Sequence, residues 1–553
     1  MTPARFDLLQ EPWIPVRYVD GSTSEVSVRS AFRDASTIRG IDGELPTQTF
    51  ALTRLLLAIL YRASYDEEND RWHDDWALWW NEGLPTEDID DYLDEFAERF
   101  DLFHPERPFF QVPDLRTGSG ETKDTAPLVF DLPSNNRLFT TRSGAESLRL
   151  PFAEAARWLV NAQAFDASGI KSGAVGDDRV KGGRGYPIGV SWSGLLGGVL
   201  VEGDTLQETL LLNFALPGVD IDAEGRLDLP PWEDDAPDTA AVRHALAPTG
   251  PVRLFTWQSR RIRLVTDGER VTGCVLANGD ALTPQNQQNH EPMTGWRYSE
   301  PQSKKAGVTT YMPREHQPDR AFWRGIGGLL PSRAETQMIR DAKKNPHQRF
   351  RAPAVLESAE RRIDTLGSGR RVRVRAIGVI YGSNNSVIDE IIDDRITLAL
   401  TLLSRERPAL AAIAESAVSL ADQGVRVLRY LAENLARAAG GDGEGPRERA
   451  EATAYAHFDG MYREWLAGLD DSTDTEKAIM AWRDDAHRLL RRLGADLVSN
   501  ASPAAWAGRE VQGELLNTPR AEGRFLRALH KTFAIEDPSS EGQDEKPEEG
   551  NIA

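Results

Sequence analysis

Near residue 385 the spacing of apolar side chains changes, and this break constrains the fold more than any other feature of the chain. Beyond Ser386 the apolar residues recur at helical intervals over long stretches. The pattern predicts helices over Ile388 to Leu403, Ala409 to Ala439, Glu448 to Leu466, Thr473 to Val498 and Gly523 to Thr532. The separators are Arg407-Pro408, the glycine-rich run from Gly440 to Pro446, and Pro503, all helix breakers. Long helices joined by short loops read as an up-down four-helix bundle over 386–535. Residues 536–553 are rich in Glu, Asp, Ser, Pro and Gly, so a disordered acidic tail is expected there.

Before the break the patterns alternate. Phe6 to Val19 predicts a short strand, a turn and a second strand around Pro12 and Pro15. Leu45 to Ala63 predicts a helix, as do Ser147 to Ala164 and Leu206 to Phe214. Trp72, Trp76, Trp79 and Trp80 share one face of an acidic helix, a spacing typical of core. Arg253 to Trp257, Arg261 to Val265 and Arg371 to Ile380 predict strands, the last carrying Arg371, Arg373 and Arg375 on one face. It ends at a turn, Tyr381 to Asn385. The fold class is therefore α+β: a large mixed α/β domain over 1–385, followed by the helical bundle.

A chain of 553 residues suits two to four domains at about 100–200 residues each. The longest strongly apolar run, Leu55 to Leu60, is far short of the roughly 20 residues a membrane helix needs. A single cysteine, Cys274, allows no internal disulfide and no cysteine-based zinc site, so the expected compartment is the cytoplasm. The net charge of −21 argues against a uniformly nucleic-acid-binding surface. The charge is uneven, however. Tyr65 to Phe100 holds 14 acids and 2 bases, whereas Thr294 to Arg375 holds 18 bases and 8 acids. Such a chain can bind a polyanion locally and repel it elsewhere.

Local catalytic motifs are lacking. No two of the nine histidines make a His-x-x-x-His pair, and there is no Gly-x-Ser-x-Gly elbow. Asp166 to Gly189 forms a glycine-rich loop containing Gly169, Ile170, Lys171, Ser172 and Gly173. Ile170 precedes Lys171 where a P-loop needs glycine, so the nucleotide-hydrolase reading fails. What remains is a backbone able to approach another surface closely at Gly169 and Gly173. The following cluster, Lys181 to Gly185, interleaves cations with glycines and suits phosphate contacts. The amide turns Ser383-Asn384-Asn385 and Ser134-Asn135-Asn136 suit base-edge contacts, although each could also be an ordinary turn.

Taken together, the segments Phe6 to Val16, Arg54 to Leu60, Arg107 to Gln111, Gly169 to Gly173, Leu210 to Asn213, Thr256 to Arg261 and Tyr381 to Asn385, with the helical C-terminus, resemble the CasA family. CasA is the large subunit of the type I-E CRISPR surveillance complex, Cascade. The resemblance spans residues 6 to about 535. It implies a non-catalytic protein without cofactor or metal. Its implied partners are the backbone, handle-binding and small subunits of Cascade, CRISPR RNA, double-stranded target DNA and a helicase-nuclease effector; no membrane is implied.

The resemblance further implies that the protein recognises the protospacer-adjacent motif, helps open the duplex and docks the helicase-nuclease. It places DNA contacts on Gly169, Ile170, Lys171, Ser172 and Gly173 and a wedge turn on Asn384 and Asn385. An RNA-handle loop falls near Leu132 to Gly144, including Ser134, Asn135 and Asn136. A minor-groove lysine of some relatives has no firm match, Lys304 and Lys305 being the candidates. Some relatives carry Gln where this chain has Asn385, one methylene shorter. Two other readings compete. One is an enzyme whose site is assembled from distant residues such as His104 or His290. The other is a scaffold that binds proteins without reading DNA.

Overall fold

The two longest strands, Arg371–Tyr381 and Ile388–Ala399, form an antiparallel hairpin that carries the Asn384-Asn385 turn at its tip. They are described in a computed structural model covering residues 4–65, 72–132, 142, 145–215, 227–234, 247–340, 345–511 and 513–534. The expected tail over 536–553 and the loop with Ser134, Asn135 and Asn136 lie outside the described residues. The chain mixes helix and strand and divides into two compact units, Met1–Pro408 and Ala409–Ala553.

The hairpin overturns one expectation. Ile388 to Leu403 is not helical: Ile388–Ala399 is a strand, and only Leu400–Leu403 makes a 3-10 turn. Ile391, Ile392, Ile396 and Thr397 are β-branched and fit a pleated surface. An almost unbroken ladder from Arg371↔Ala399 to Tyr381↔Ile388 satisfies their backbone. The first compact unit therefore runs to Pro408 rather than ending near 385. Gly198–Glu202 adds a third antiparallel strand on the other edge of Arg371–Tyr381. Val372, Val374, Ala376 and Ile377 are buried. Arg375, on the arginine face, is buried too, because Asp393 on the partner strand takes its guanidinium in two hydrogen bonds of 2.6 and 2.9 Å.

A second correction concerns Arg253 to Trp257. The segment is a short helix, Pro251–Phe255. Pro251 presets the helical φ at the first turn. The buried Asp228 carboxylate accepts from the N–H groups of Val252 and Arg253 at 2.8 and 3.0 Å. The next segment is a strand as expected, Arg260–Thr266, paired with Val271–Asn278. At the N-terminus only Ile14–Tyr18 is a strand. Phe6 to Trp13 turns instead, with Glu11 N–H bonding Asp7 O and the Trp13 indole bonding Leu8 O.

The helix Pro46–Ala63 runs through the core of this unit, buried continuously from Thr47 to Tyr61. Its Arg54 lies 1% exposed against Glu291, which is 0% exposed, with two hydrogen bonds of 2.8 and 2.7 Å. The Trp192 indole donates to the same carboxylate at 2.7 Å, and Arg54 stacks over Phe255. The helices Phe152–Phe165 and Leu206–Asn213 match expectation. Trp76 and Trp79 are core, as their spacing predicted, and Trp80 stacks on Trp76.

Among its described residues the second unit holds four long helices, Pro408–Ala439 (which begins at the last residue of the first unit), Glu444–Ala467, Thr475–Ser499 and Thr518–Phe533. A short helix, Pro503–Ala507, and a small hairpin, Arg509–Val511 with Glu514–Leu516, precede the last. Tyr462 donates to Ala414 O and the Trp482 indole to Ala417 O, which pins two helices to the first. Pro446 sits in the first turn of its helix, where no N–H is missed.

Candidate nucleic-acid interface

The candidate interface begins where the helix Phe152–Phe165 stops. Asp166 follows it and is nearly buried, and burial alone would push its carboxyl up. Lys171 and Arg260 reverse this and hold it below the usual carboxylate range. Lys171 Nζ lies 2.6 Å from Asp166 Oδ2, and Arg260 Nε donates to the same oxygen. Arg260 is 1% exposed. Its Nη2 reaches the carbonyls of Asp166, Ala167 and Gly189 at 3.2, 3.1 and 2.9 Å, and its Nη1 donates to Ser259 O at 2.9 Å. One guanidinium thus ties together both ends of the glycine-rich segment. Gln163 fixes Arg260 in turn, accepting from its backbone N–H and donating to its carbonyl, both at 2.9 Å.

Between those ends the segment is not an irregular loop. Lys171–Ser172, Arg184–Gly185 and Val180–Lys181 form a miniature three-stranded sheet. Gly173 is required by packing: a Cβ there would lie 2.5 Å from the Gly183 carbonyl. Gly169 has φ +136°, a conformation that side chains disfavour. Lys171, placed among the DNA contacts by the resemblance, has a side chain only 14% exposed and paired with Asp166. Burial lowers its pKa, with Asp166 opposing. Ile170, by contrast, is 54% exposed, and Lys181 and Arg184 are exposed.

The hairpin tip meets this segment. Ser168 N–H donates to Asn385 O at 2.8 Å, and the Tyr381 hydroxyl donates to Phe165 O at 2.5 Å. Tyr381 is half-buried, and desolvation of its hydroxyl raises its pKa well above the ordinary tyrosine value. Gly194 leaves room for its ring, since a Cβ there would lie 2.4 Å from the hydroxyl. Asn384 and Asn385 both have φ +55°, a left-handed conformation that asparagine tolerates better than most side chains. Gly382 N–H bonds Val387 O and Asn385 N–H bonds Gly382 O, closing the turn. Both asparagines are exposed, and neither side-chain amide bonds another described residue.

The two candidate segments, more than 200 residues apart in sequence, are therefore one surface. Sequence reasoning missed the residues that join them: Asp166, Ser168, Arg260 and Tyr381. Asp166 and Ser168 lie in the glycine-rich segment, Arg260 in Thr256–Arg261 and Tyr381 at the start of the turn, but no periodicity marks any of them. Near the expected RNA-handle loop, Asp131 and Arg142 pair at 3.3 Å, and Arg142 also pairs with Glu44 and Glu154. Lys304 pairs with Glu300 on an exposed helix, Glu300–Ala306. Cys274 is buried, which pushes its thiol up to about 12. Among the described residues no group of His, Cys, Asp and Glu could hold a metal ion, and no helix is long and apolar enough to cross a membrane.

The sequence model of the family described as CRISPR-associated protein Cse1 matches residues 7–493. The chain is 29% identical over 531 residues to the CRISPR-associated protein CasA/Cse1 of Thermus thermophilus, covering 94% of this chain and 93% of that one. It superposes on the crystal structure of Thermobifida fusca Cse1 with a TM-score of 0.86, at 43% identity, covering 96% of this chain and 98% of that one. A chain of a solved CRISPR RNA-guided surveillance complex shares the fold with a TM-score of 0.62, at 20% identity, over 90% of this chain and 100% of that one.

Proposed function

The chain belongs to the CRISPR-associated Cse1 family, and from that premise we propose that it is the large, non-catalytic subunit of an RNA-guided DNA surveillance complex. In this reading it recognises the protospacer-adjacent motif in duplex DNA, helps open the duplex for guide-RNA pairing, and docks the helicase-nuclease. The observation that carries the DNA-reading role is the hydrogen bond from Ser168 to Asn385, which makes one surface of the glycine segment and the Asn384-Asn385 turn.

The roles follow from the chemistry. In RNA-guided systems base pairing reads the sequence and protein reads a short flanking motif. Asn384 and Asn385 offer two solvent-facing amides at the tip of a rigid hairpin, suited to the minor groove or to insertion between base steps. Unstacking a step takes a few kcal/mol, and later RNA–DNA pairing nearly balances DNA unpairing, so a wedge need only offset the local term. Gly169, Ile170, Ser172 and Gly173 present backbone and a small side chain to the strand. Lys171 acts through Asp166, fixing the segment rather than reaching out. Ser134, Asn135 and Asn136 are assigned to the RNA handle. The C-terminal helices are assigned as a four-helix bundle that meets other subunits, and the compartment is the cytoplasm.

The test is duplex binding by the reconstituted complex, with and without this chain, on targets randomised beside the protospacer. Enrichment of a short flanking motif that depends on this chain supports the reading. Equal enrichment without it assigns the chain to a purely scaffolding role.

A further inference from the structure

A second feature of the first compact unit lies apart from the two loops. A cavity of about 640 Å³ is lined by Arg297, Arg314, Arg320 and Arg349, with Glu315 and Asp394 as its carboxylates. No residue of 166–173 or 382–387 lines it. The arginines outnumber these carboxylates four to two. None of the four makes an ion pair with a carboxylate among the described residues, whereas Arg373, Arg375 and Arg395 on the neighbouring hairpin all do.

The geometry of the cluster is built rather than incidental. Arg314 lies against Gly325 and Gly328, where its guanidinium occupies the space a Cβ at Gly328 would need, and donates to Gly325 O at 3.2 Å. It stacks on Phe350 at 4.8 Å, and Arg349 stacks on the same ring at 5.2 Å. Arg320 is held at the rim by the carbonyl of Arg324 at 2.8 Å and by Gln317. Burial, then Arg320 and Arg349 beside it, bring the Arg314 guanidinium down to about 10. Glu315 stands beside Arg297, and Asp394 accepts from Phe322 N–H at 2.8 Å. This leaves Arg314, Arg320 and Arg349 as a concentrated positive charge facing open volume.

Guanidinium forks match phosphate oxygens in geometry and charge, and an anion relieves the repulsion that Arg320 and Arg349 exert on the desolvated Arg314. A cavity of this volume lies in the range of small-ligand sites and admits a nucleotide unit but not a duplex. We propose that this cavity is a phosphate-binding site, separate from the Gly169–Asn385 surface, that seats the phosphate of a nucleotide between Arg314, Arg320 and Arg349. The nucleotide is carried either as a free nucleoside polyphosphate or within an unpaired nucleic-acid strand. The proposal rests on the cavity and its charge and stands whether or not the two loops read DNA.

The experiment uses the purified full chain, with ATP and inorganic pyrophosphate as one pair of probes and a fluorescein-labelled oligothymidylate as the other. The variants are Arg320→Ala/Arg349→Ala, which changes only exposed rim residues, and Arg314→Met, whose folding is checked by circular dichroism. Equal loss of charge at Arg488 and Arg524, on the C-terminal helices, controls for general attraction. At least one probe should bind, and the rim variant should weaken it tenfold or more while the control does not. Binding of ATP displaced by pyrophosphate assigns the free nucleotide. Binding of the oligonucleotide alone assigns the strand, and its log–log salt slope should then fall by about 0.7 per lost contact. Absence of binding by every probe, or equal weakening by the rim and control variants, overturns the proposal.

Discussion

Ser168 donates its backbone N–H to the carbonyl of Asn385 at 2.8 Å, so the segment after one helix and the tip of a distant hairpin share an edge. The bond uses no side chain of either residue. The exposed amides of the turn are left for other partners while its backbone is held in place.

Arg260 is the residue on which that arrangement depends. Arg260→Ala removes the guanidinium's bonds to four carbonyls and leaves the Asp166 carboxylate with Lys171 alone. Removing one partner of a buried ion pair destabilises by about 3–5 kcal/mol. Chemical denaturation should show a loss of that size, and flanking-motif selection should fall with it. Lys171→Met should lower stability less, because Arg260 remains on Asp166.

The asparagine turn separates geometry from chemistry. Asn384→Gly or Asn385→Gly keeps the left-handed backbone and should leave stability unchanged or slightly raised. Alanine at either position should lower stability by about 1 kcal/mol. Both replacements remove the amide, so both should reduce motif enrichment in the reconstituted complex. Full enrichment by the glycine variants would mean that the turn supplies shape alone.

The buried pair Arg54–Glu291 is predicted to hold the core. Glu291→Ala strands the Arg54 guanidinium and the Trp192 indole, and should destabilise by about 3–5 kcal/mol in denaturant titration. Arg54→Met/Glu291→Met should recover part of that loss, since no charge is then left buried. A double variant as unstable as the single would contradict this.

Much of this architecture is legible from sequence, and the exceptions have physical causes. Phe152–Phe165 and the 371–381 strand follow from their apolar patterns, and both lie deep in the unit, buried without a break over 155–163 and 374–379. The 388–399 strand does not, since isoleucines at 388, 391, 392 and 396 also suit one helical face. Only pairing with Arg371–Tyr381 decides between the two. Pro251–Phe255 depends likewise on Asp228, over twenty residues earlier. The pairing of Lys171 with Asp166, which Arg260 shares, is also a contact that no spacing reveals. Asn384 and Asn385 stand out as turn residues, but nothing local reveals that their neighbour in space is Ser168.

His316 gives the pH dependence. Its Nε2 lies 2.9 Å from Gly198 O, and burial, with the carbonyl opposing and Arg314 adding, pulls its pKa to about 4. The unfolded chain takes up this proton near the ordinary histidine value, about 6.5. Stability from this site is therefore complete above about pH 6.5 and declines toward pH 4, by about 3 kcal/mol. His316→Gln keeps a donor for Gly198 O and should flatten the decline, measured as unfolding free energy between pH 7 and pH 4.5.

The central claim is that the Asn384-Asn385 turn, held by the 166–189 segment, opens the duplex beside the motif. The direct measurement is fluorescence of 2-aminopurine placed at the first base pair next to the motif, read as the reconstituted complex binds. A rise with the native chain, lost with Asn385→Ala and diminished with Arg260→Ala, is the predicted result. An equal rise with all three would show that the duplex opens without this surface and would contradict the account.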